Sequence, residues 1–274
     1  MTGSELVEEI RSQVGGTQQA RWVMEELAGK DFASRELNGD LVANVRALAT
    51  EVEAGKPLQY ALGCWDFRSL TLVVDERALI PRPETEYLVD AALSAARELH
   101  GSLVAVDLGT GTGAIALAIA TEVPGAEVHA VDQSQDALEL ARLNASRVGA
   151  SVTFHHGSWW SAVPAALHGR VNLLISNPPY VTESEYVDLD IELSFEPKEA
   201  LVAPPSSTGV DGLGDLEAII NGALPFLAGE AVVVFECAPH QTRALKELSM
   251  TLGSAEIIVD LAGRERGVLV KRSA

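Results

Sequence analysis

The chain of 274 residues holds only two cysteines, Cys64 and Cys237, far apart and in apolar, strand-like surroundings. Such a pair makes neither a disulfide framework nor a metal-ligand set, so both are expected in the core. Basic residues are also scarce: 20 Lys and Arg stand against 39 Asp and Glu, a net charge of -19, which on average repels the phosphates of a long nucleic acid. The bland meaning of that acidity is solubility, and the sharper one is the steering of a basic protein partner. No run approaches the ~20 uninterrupted apolar residues that span a bilayer, and residues 1–9 are acidic rather than led by Lys or Arg. A cytoplasmic protein without membrane attachment is expected. None of His100, His129, His155, His156, His168 or His240 has a metal or triad context, and no metal is expected in the chemistry. Internal repeats and low-complexity tracts are missing too. Apolar residues, by contrast, make up 47%, enough to fold one large domain or a medium and a small one around sizeable cores.

Three regions follow from composition and periodicity. Residues 1–55 read as helices: Leu6, Ile10 and Val14 recur at four-residue spacing, as do Trp22 and Glu26 with their apolar neighbours Val23 and Leu27. Thr17 and Ser34 fit helix N-caps, and Gly15, Gly16 and Gly29 fit breaks. This unit has no cluster of reactive groups, so it is expected to serve packing or partner recognition. Residues 56–77 change to short strand-like runs at 59–62 and 70–74, separated by Gly63, Asp66 and Ser69, a predicted hairpin linker. Residues 78–274 form the large domain. Pro81 and Pro83 open a helix that runs to about Leu99, proline being tolerated in a first helical turn. Apolar runs then recur at 103–107, 127–131, 152–155, 171–176 and 231–236, with helical stretches at 114–121 and 136–148 after the first two. Strand and helix alternation of this kind predicts an α/β fold with a parallel sheet covered on both faces. The segments 256–260 and 267–271 read as a terminal antiparallel pair, and 203–209, with Pro204, Pro205, Ser206 and Ser207, as an exposed loop.

The first strand of the large domain runs into Gly109-Thr110-Gly111-Thr112-Gly113-Ala114, a glycine-rich turn that opens a helix. Glycine lets the backbone approach a ligand and adopt positive φ. Gly109, Gly111 and Ala114 also satisfy the dinucleotide pattern, so the loop alone does not choose between NAD and S-adenosylmethionine. Asp132, about twenty residues on, closes the second strand where a carboxylate can accept from both ribose hydroxyls of either cofactor, or simply start a helix. Asp107 could orient the loop backbone or face a cofactor's amino group, and a purely structural role also fits. The deciding element is Asn177-Pro178-Pro179-Tyr180 after the 171–176 strand, at the carboxyl edge where open α/β folds place ligands. Two prolines stiffen the loop and remove two N–H donors. The Asn177 side-chain oxygen and the Pro178 carbonyl can then accept the two hydrogens of an NH₂ group, while Tyr180 offers a flat face to a planar amide or base. An amide nitrogen is a poor nucleophile, and two acceptors orient and polarise it as positive charge develops during methyl transfer. A Pro-Pro turn capped by Asn is the plainer reading of the same residues.

On these residues the sequence resembles the HemK/PrmC family, the N5-glutamine methyltransferases of peptide chain release factors. The likeness covers nearly the whole chain and is strongest over 55–113 and 173–213. Beside the glycine loop and the tetrapeptide it includes Gly55-Lys56-Pro57-Leu58-Gln59-Tyr60, Ile80-Pro81-Arg82-Pro83-Glu84-Thr85-Glu86, and Phe195-Glu196-Pro197 followed by Ala200-Leu201. Asn-Pro-Pro-Tyr is shared with adenine-N6 DNA methyltransferases; the 80–86 stretch is more specific to this family and favours release factors over a ribosomal-protein glutamine. The resemblance implies a class I S-adenosylmethionine-dependent methyltransferase fold, a Rossmann-like seven-stranded sheet with a terminal antiparallel hairpin, behind an N-terminal helical domain that docks a class I release factor. It places S-adenosyl-L-methionine, with S-adenosyl-L-homocysteine as product, on Gly109, Thr110, Gly111, Thr112, Gly113, Asp132, Trp159 and Asn177. It places the glutamine of a Gly-Gly-Gln loop on Asn177, Pro178, Pro179 and Tyr180, with Asn177, Pro178 and Tyr180 as the catalytic set of a monomer. By itself Trp159 reads as readily as core, and Arg82 and Glu84 fit a site rim or a helix-start ion pair equally. Glu196 fits an anchor for the loop after the catalytic strand. The chain departs from the family pattern at Ser158, where an acid is usual before the tryptophan, and in a longer 204–209 stretch.

Three rival readings set the tests. A nucleic-acid methyltransferase acting on adenine N6 or guanine N2 must flip its base and grip phosphates, against which the charge weighs. An idle S-adenosylmethionine-binding module has no need of Asn177 and Tyr180. An NAD-dependent dehydrogenase needs a hydride-transfer acid or base that the sequence after the loop does not offer.

Overall fold

The computed structural model describes residues 1–207 and 209–273 of the chain. Three helices, α1 (Gly3–Ile10), α2 (Thr17–Ala28) and α3 (Gly39–Glu53), bury Leu6, Ile10, Val23, Met24, Val45 and Ala49 against Phe32 and Leu58 in a core of their own. The periodic residues Leu6, Ile10 and Val14 do face that core, but Trp22 turns outward and meets Trp65 edge-on at 5.6 Å. Neither expected cap holds its place. Gly16 caps α2, and Thr17 is the first helical residue. Ser34 lies ahead of an extended stretch in which Glu36 bridges back to Thr2, which delays α3 until Asn38, whose Oδ1 accepts from the Leu41 N–H at 2.8 Å.

The linker also departs from expectation. Residues 59–62 are helical, in α4 (Leu58–Leu62), because Pro57 presets the entry and Gly63, at φ +73°, closes the turn. A four-residue apolar run between a proline and a glycine carries no period that separates strand from helix. The hairpin is made instead by β1 (Cys64–Phe67) and β2 (Leu70–Val73). Cys64 is consequently half-buried beside Glu26 rather than in the core, and its thiol is pushed up to about 12 by burial first and by Glu26 second. Cys237 is buried as expected.

The large domain is a seven-stranded sheet in the order β5-β4-β3-β6-β7-β9-β8. In chain order its elements are α5 (Pro83–Ala96), β3 (Val104–Leu108), α6 (Ala114–Glu122), β4 (Glu127–Asp132), α7 (Gln135–Val148), β5 (Thr153–His156) and β6 (Val171–Ser176). There follow α8 (Glu183–Tyr186), α9 (Gly214–Ala223), β7 (Leu227–Glu236), α10 (Thr242–Ser249), β8 (Ser254–Val259) and β9 (Glu265–Arg272). The first five strands in sheet order run parallel, and β9 inserts antiparallel between β7 and β8. Alternation along β3 sends Val104, Val106 and Leu108 to one face, against α9 and α10, and Ala105 to the other, against α5 and α6. Helices α9 and α10 add to the set expected from the sequence. The 203–209 stretch exposes Pro204 and Pro205, but the Ser206 hydroxyl and the Ser207 N–H both donate to Glu217. Thr208, within that stretch, lies outside the described residues.

The geometry that matters for function is where the winding reverses. From β3 the chain steps outward through β4 to β5, then returns to the other side of β3 to lay down β6 and β7. The loops leaving β3 and β6 therefore diverge and leave a crevice between them at the carboxyl edge.

Candidate active site

The loop after β3 builds one wall of that crevice. Gly109 sits at φ +78°, and a Cβ there would lie 3.3 Å from the Trp159 ring, so this position needs glycine twice over. Gly113, at φ +86°, starts α6, where a Cβ would press on Ala141 and Leu117 at 3.2 Å. Asp107 is wholly buried; its Oδ2 accepts from the Thr110 hydroxyl at 2.6 Å and from the Ala116 N–H at 3.2 Å. Burial pushes its pKa up to about 7 against those two hydrogen bonds. Asp107 thus clasps the loop from behind and does not line the crevice, which decides between its two roles. Asp132 does line it. Its Oδ2 accepts from the Gly111 N–H and its Oδ1 from the Ser134 N–H, both at 2.8 Å, which holds the carboxylate fixed at the cavity wall. Burial raises the pKa of this carboxyl, and those backbone donors oppose the rise.

The opposite walls come from distant segments. Trp159 holds φ +43°, unusual for a bulky residue, and lays its ring over Gly109. Asp215 on α9 lies beside its indole, and burial lifts that carboxyl to about 6 against the opposing influence of the indole N–H. Trp160 is the core tryptophan of the pair, donating to the Ile219 carbonyl at 2.7 Å. Glu196, also buried, accepts from the Ile80 N–H at 2.9 Å and from Arg82, and so ties the segment before α5 to the segment after the tetrapeptide. Arg82 lines the crevice, whereas Glu84 pairs with Arg266 at 3.2 Å.

These walls enclose a cavity of about 490 Å³ lined by Gly109, Thr110, Gly111, Thr112, Asp132, Ser158, Trp159, Asn177 and Pro179 among others. Gly113 supports the turn from outside that lining. A smaller cavity of about 200 Å³ adjoins it, lined by Asn177, Pro178, Pro179 and Tyr180 together with Leu189 and Leu193. Asn177 and Pro179 face both spaces. The tetrapeptide is held firmly: the Ser176 hydroxyl donates to the Leu108 carbonyl at 2.6 Å, and Gln241 Nε2 donates to the Tyr180 carbonyl at 2.9 Å. A side chain at Gly212 would strike that Tyr180 carbonyl at 2.3 Å.

A family model described as Methyltransferase small domain matches residues 87–201. The release factor glutamine methyltransferase of Vibrio cholerae is 41% identical over 232 residues, 83% of this chain and 78% of that protein. The chain belongs to the release factor glutamine methyltransferase family. The relative of the same name in Deinococcus radiodurans is 39% identical over 218 residues, 79% of this chain and 75% of that protein. Among solved structures, a methyltransferase from Pyrococcus furiosus superposes with a TM-score of 0.54 at 17% identity, over 86% of this chain and 100% of that one, a likeness of fold alone.

The cofactor of a methyltransferase in this family is S-adenosylmethionine, and the residues present fit it. The side-chain-free surface at Gly109 and Gly111 lets a ligand approach the backbone, Asp132 presents a fixed carboxylate to the cavity as a ribose acceptor would, and Trp159 supplies an aromatic wall. Ser158 also lines the cavity and adds no charge to it. Among the described residues, no group of three or more His, Cys, Asp or Glu is placed to hold a metal ion, and no helix is long and apolar enough to cross a membrane.

Sequence reasoning missed Thr85, Asp215 and Glu236 as neighbours of the site. Glu236 carried a usable signal: it is an acid that ends the apolar run 231–236 at the same sheet edge as Asp107 and Asn177. Thr85 lay inside the 80–86 stretch without an assigned part, and Asp215 carried no signal that separates it from a helix-start acid.

Proposed function

We propose that this chain transfers a methyl group from S-adenosylmethionine to the side-chain amide nitrogen (N5) of the glutamine in the Gly-Gly-Gln loop of class I peptide chain release factors. One observation carries the reading: a cofactor-sized cavity and a smaller one meet at Asn177, so a donor and an acceptor bound in them share that residue as a wall. Gly109, Thr110, Gly111, Thr112, Asp132 and Trp159 would hold the cofactor, with Gly113 setting the turn. When bound, S-adenosylmethionine supplies an electrophilic methyl on a sulfonium.

Asn177 Oδ1 and the Pro178 carbonyl accept the two N–H groups of the glutamine amide and turn its nitrogen toward the larger cavity. The prolines keep both acceptors still, so little reorganisation remains when positive charge develops on that nitrogen. Tyr180 packs its ring against the planar amide. Burial first, and Glu236 second, push its phenol pKa far above the ordinary range, so it stays neutral. A methylated amide nitrogen bearing positive charge is strongly acidic, and its proton passes to water without a protein base. The helices of residues 1–55 would dock the release factor, and the net charge of -19 supports a basic protein as substrate over a nucleic acid.

The test incubates the protein with radiolabelled S-adenosylmethionine and a release factor, its loop Gln→Ala variant, or duplex DNA. Label on the first alone is expected. Label on DNA alone would support an exocyclic-amine methyltransferase instead. Asn177→Ala is expected to lower kcat by about a hundredfold while S-adenosylhomocysteine affinity stays within about threefold; loss of both together would mean that Asn177 chiefly holds cofactor.

A further inference from the structure

Behind Asn177 lies a buried polar chain that neither the glycine loop nor the tetrapeptide explains. Glu236, at the end of β7, is 3% exposed, and Thr85, in the first turn of α5, is 4% exposed. The Thr85 hydroxyl donates to Glu236 Oε2 at 2.6 Å and accepts from Asn177 Nδ2 at 3.2 Å. The Tyr180 hydroxyl faces Glu236 Oε1 at 3.4 Å. The nearest guanidinium acting on Glu236, Arg266 on β9, is itself paired with Glu84 and Asp260. A carboxyl buried in this way is costly, and its hydrogen bonds all lead back to the tetrapeptide.

The direction of the hydrogens follows from valence. An ionised carboxylate only accepts, so the single hydroxyl hydrogen of Thr85 is committed to Glu236. The Thr85 oxygen can then only accept, and Asn177 must turn its NH₂ toward it. The Asn177 oxygen is thereby left on the other side. Without such a partner a carboxamide rotates by half a turn at little cost, presenting NH₂ groups to an incoming NH₂ and closing the site to an amide donor.

We propose that Glu236 and Thr85 are positioning residues that act through hydrogen-bond polarity, fixing which end of the Asn177 carboxamide meets the substrate amide and steadying Tyr180 from the same carboxylate. This rests on the functional reading above and assigns to it two residues outside the tetrapeptide. The relay has a built-in dependence on protonation. Burial lifts Glu236 to about 7, opposed by the Thr85 and Tyr180 hydrogen bonds; Glu84 on α5 adds to the rise and Arg266 on β9 reduces it, while Cys237 beside it stays a neutral thiol, its own pKa raised by burial. In the acid form Glu236 can donate to Thr85, which frees the Thr85 hydrogen to occupy the Asn177 oxygen.

The experiment compares Thr85→Val, Thr85→Ser and Glu236→Gln with the wild-type chain. It measures kcat and KM for a release factor, the Kd of S-adenosylhomocysteine by calorimetry, and the side-chain ¹⁵N–¹H signals of Asn177 between about pH 6 and pH 8. Thr85→Val is expected to lower kcat about tenfold or more, with KM and Kd within about threefold, and Thr85→Ser to recover most of the loss. The wild-type kcat rises with pH through about 7, and Glu236→Gln flattens that rise. The Asn177 signals shift across the same range in wild type and do not in Glu236→Gln. A Thr85→Val enzyme with unchanged kcat, a Thr85→Ser enzyme as impaired as Thr85→Val, or Asn177 signals indifferent to pH would each overturn the relay. If Thr85→Val does not fold, Glu236→Gln and the wild-type spectrum decide. If the wild-type chain leaves the release factor unlabelled, the substrate reading falls, and the Asn177 spectrum still judges the relay.

Discussion

Trp159 shows how much a single residue can be asked to hold. Its backbone sits at φ +43°, and its ring covers Gly109 with the Asp215 carboxyl beside its indole N–H. A methyl group at 109 would strain the loop at φ +78° and press on that ring at 3.3 Å. Gly109→Ala is therefore expected to weaken S-adenosylhomocysteine binding by about tenfold or more while the protein stays folded, as read by calorimetry and far-UV circular dichroism. At this scale the sequence was informative where the chemistry is local. Gly109, Gly111, Asp132 and Asn177 announce themselves because loop, strand end and residue type coincide within a few positions. Thr85 and Glu236 do not, since their contact joins residues 151 apart and the hydrogen bond from Asn177 to Thr85 spans 92. The strand-end position of Glu236 marks it as lying at the sheet edge, but its partners cannot be read from a one-dimensional pattern.

Among the elements, the parallel strands were legible because each is a short apolar run between turn signals, whereas their order in the sheet was not, since the reversal that returns β6 to the side of β3 joins runs distant in sequence. The linker was not, because Pro57 and Gly63 bracket too few residues for a period to form. Its hairpin proves to be fastened to the cofactor loop by one side chain on α7. Asn144, wholly buried, accepts from the Val73 N–H at 2.7 Å and donates to the carbonyls of Val73 and Thr112, each at 3.0 Å. Asn144→Ala would remove the side-chain partner of the Val73 N–H, the Val73 carbonyl and the buried Thr112 carbonyl. It is expected to cost about 2–4 kcal/mol in urea unfolding and, by loosening Thr112, to raise the cofactor Kd as well. A loss of stability with cofactor binding untouched would show that hairpin and loop are not coupled through it.

For the molecule as a whole, the buried acids set how stability responds to pH. Asp107 and Glu236 are both raised by burial to about 7 from ordinary values of 3.8 and 4.5. Between those limits the folded chain binds more protons than the unfolded one, so their contribution is complete below the ordinary values and is lost as pH rises through about 7. Asp260, held down to about 2 chiefly by the Arg264 N–H, acts in the opposite sense but only in more acid solution. The melting temperature is expected to fall between about pH 5 and pH 8, and Glu236→Gln to reduce that slope. Glu196 has a different kind of reach. By grasping the Ile80 N–H and Arg82 from 116 and 114 residues away, it joins the two ends of a stretch that contains the central strands β3 and β6. Closing so long a loop costs less entropy once the strands between its ends are paired. Opening of this clasp is expected to precede loss of the sheet, so mild urea should strip the chain of S-adenosylhomocysteine at concentrations where its circular dichroism is still native.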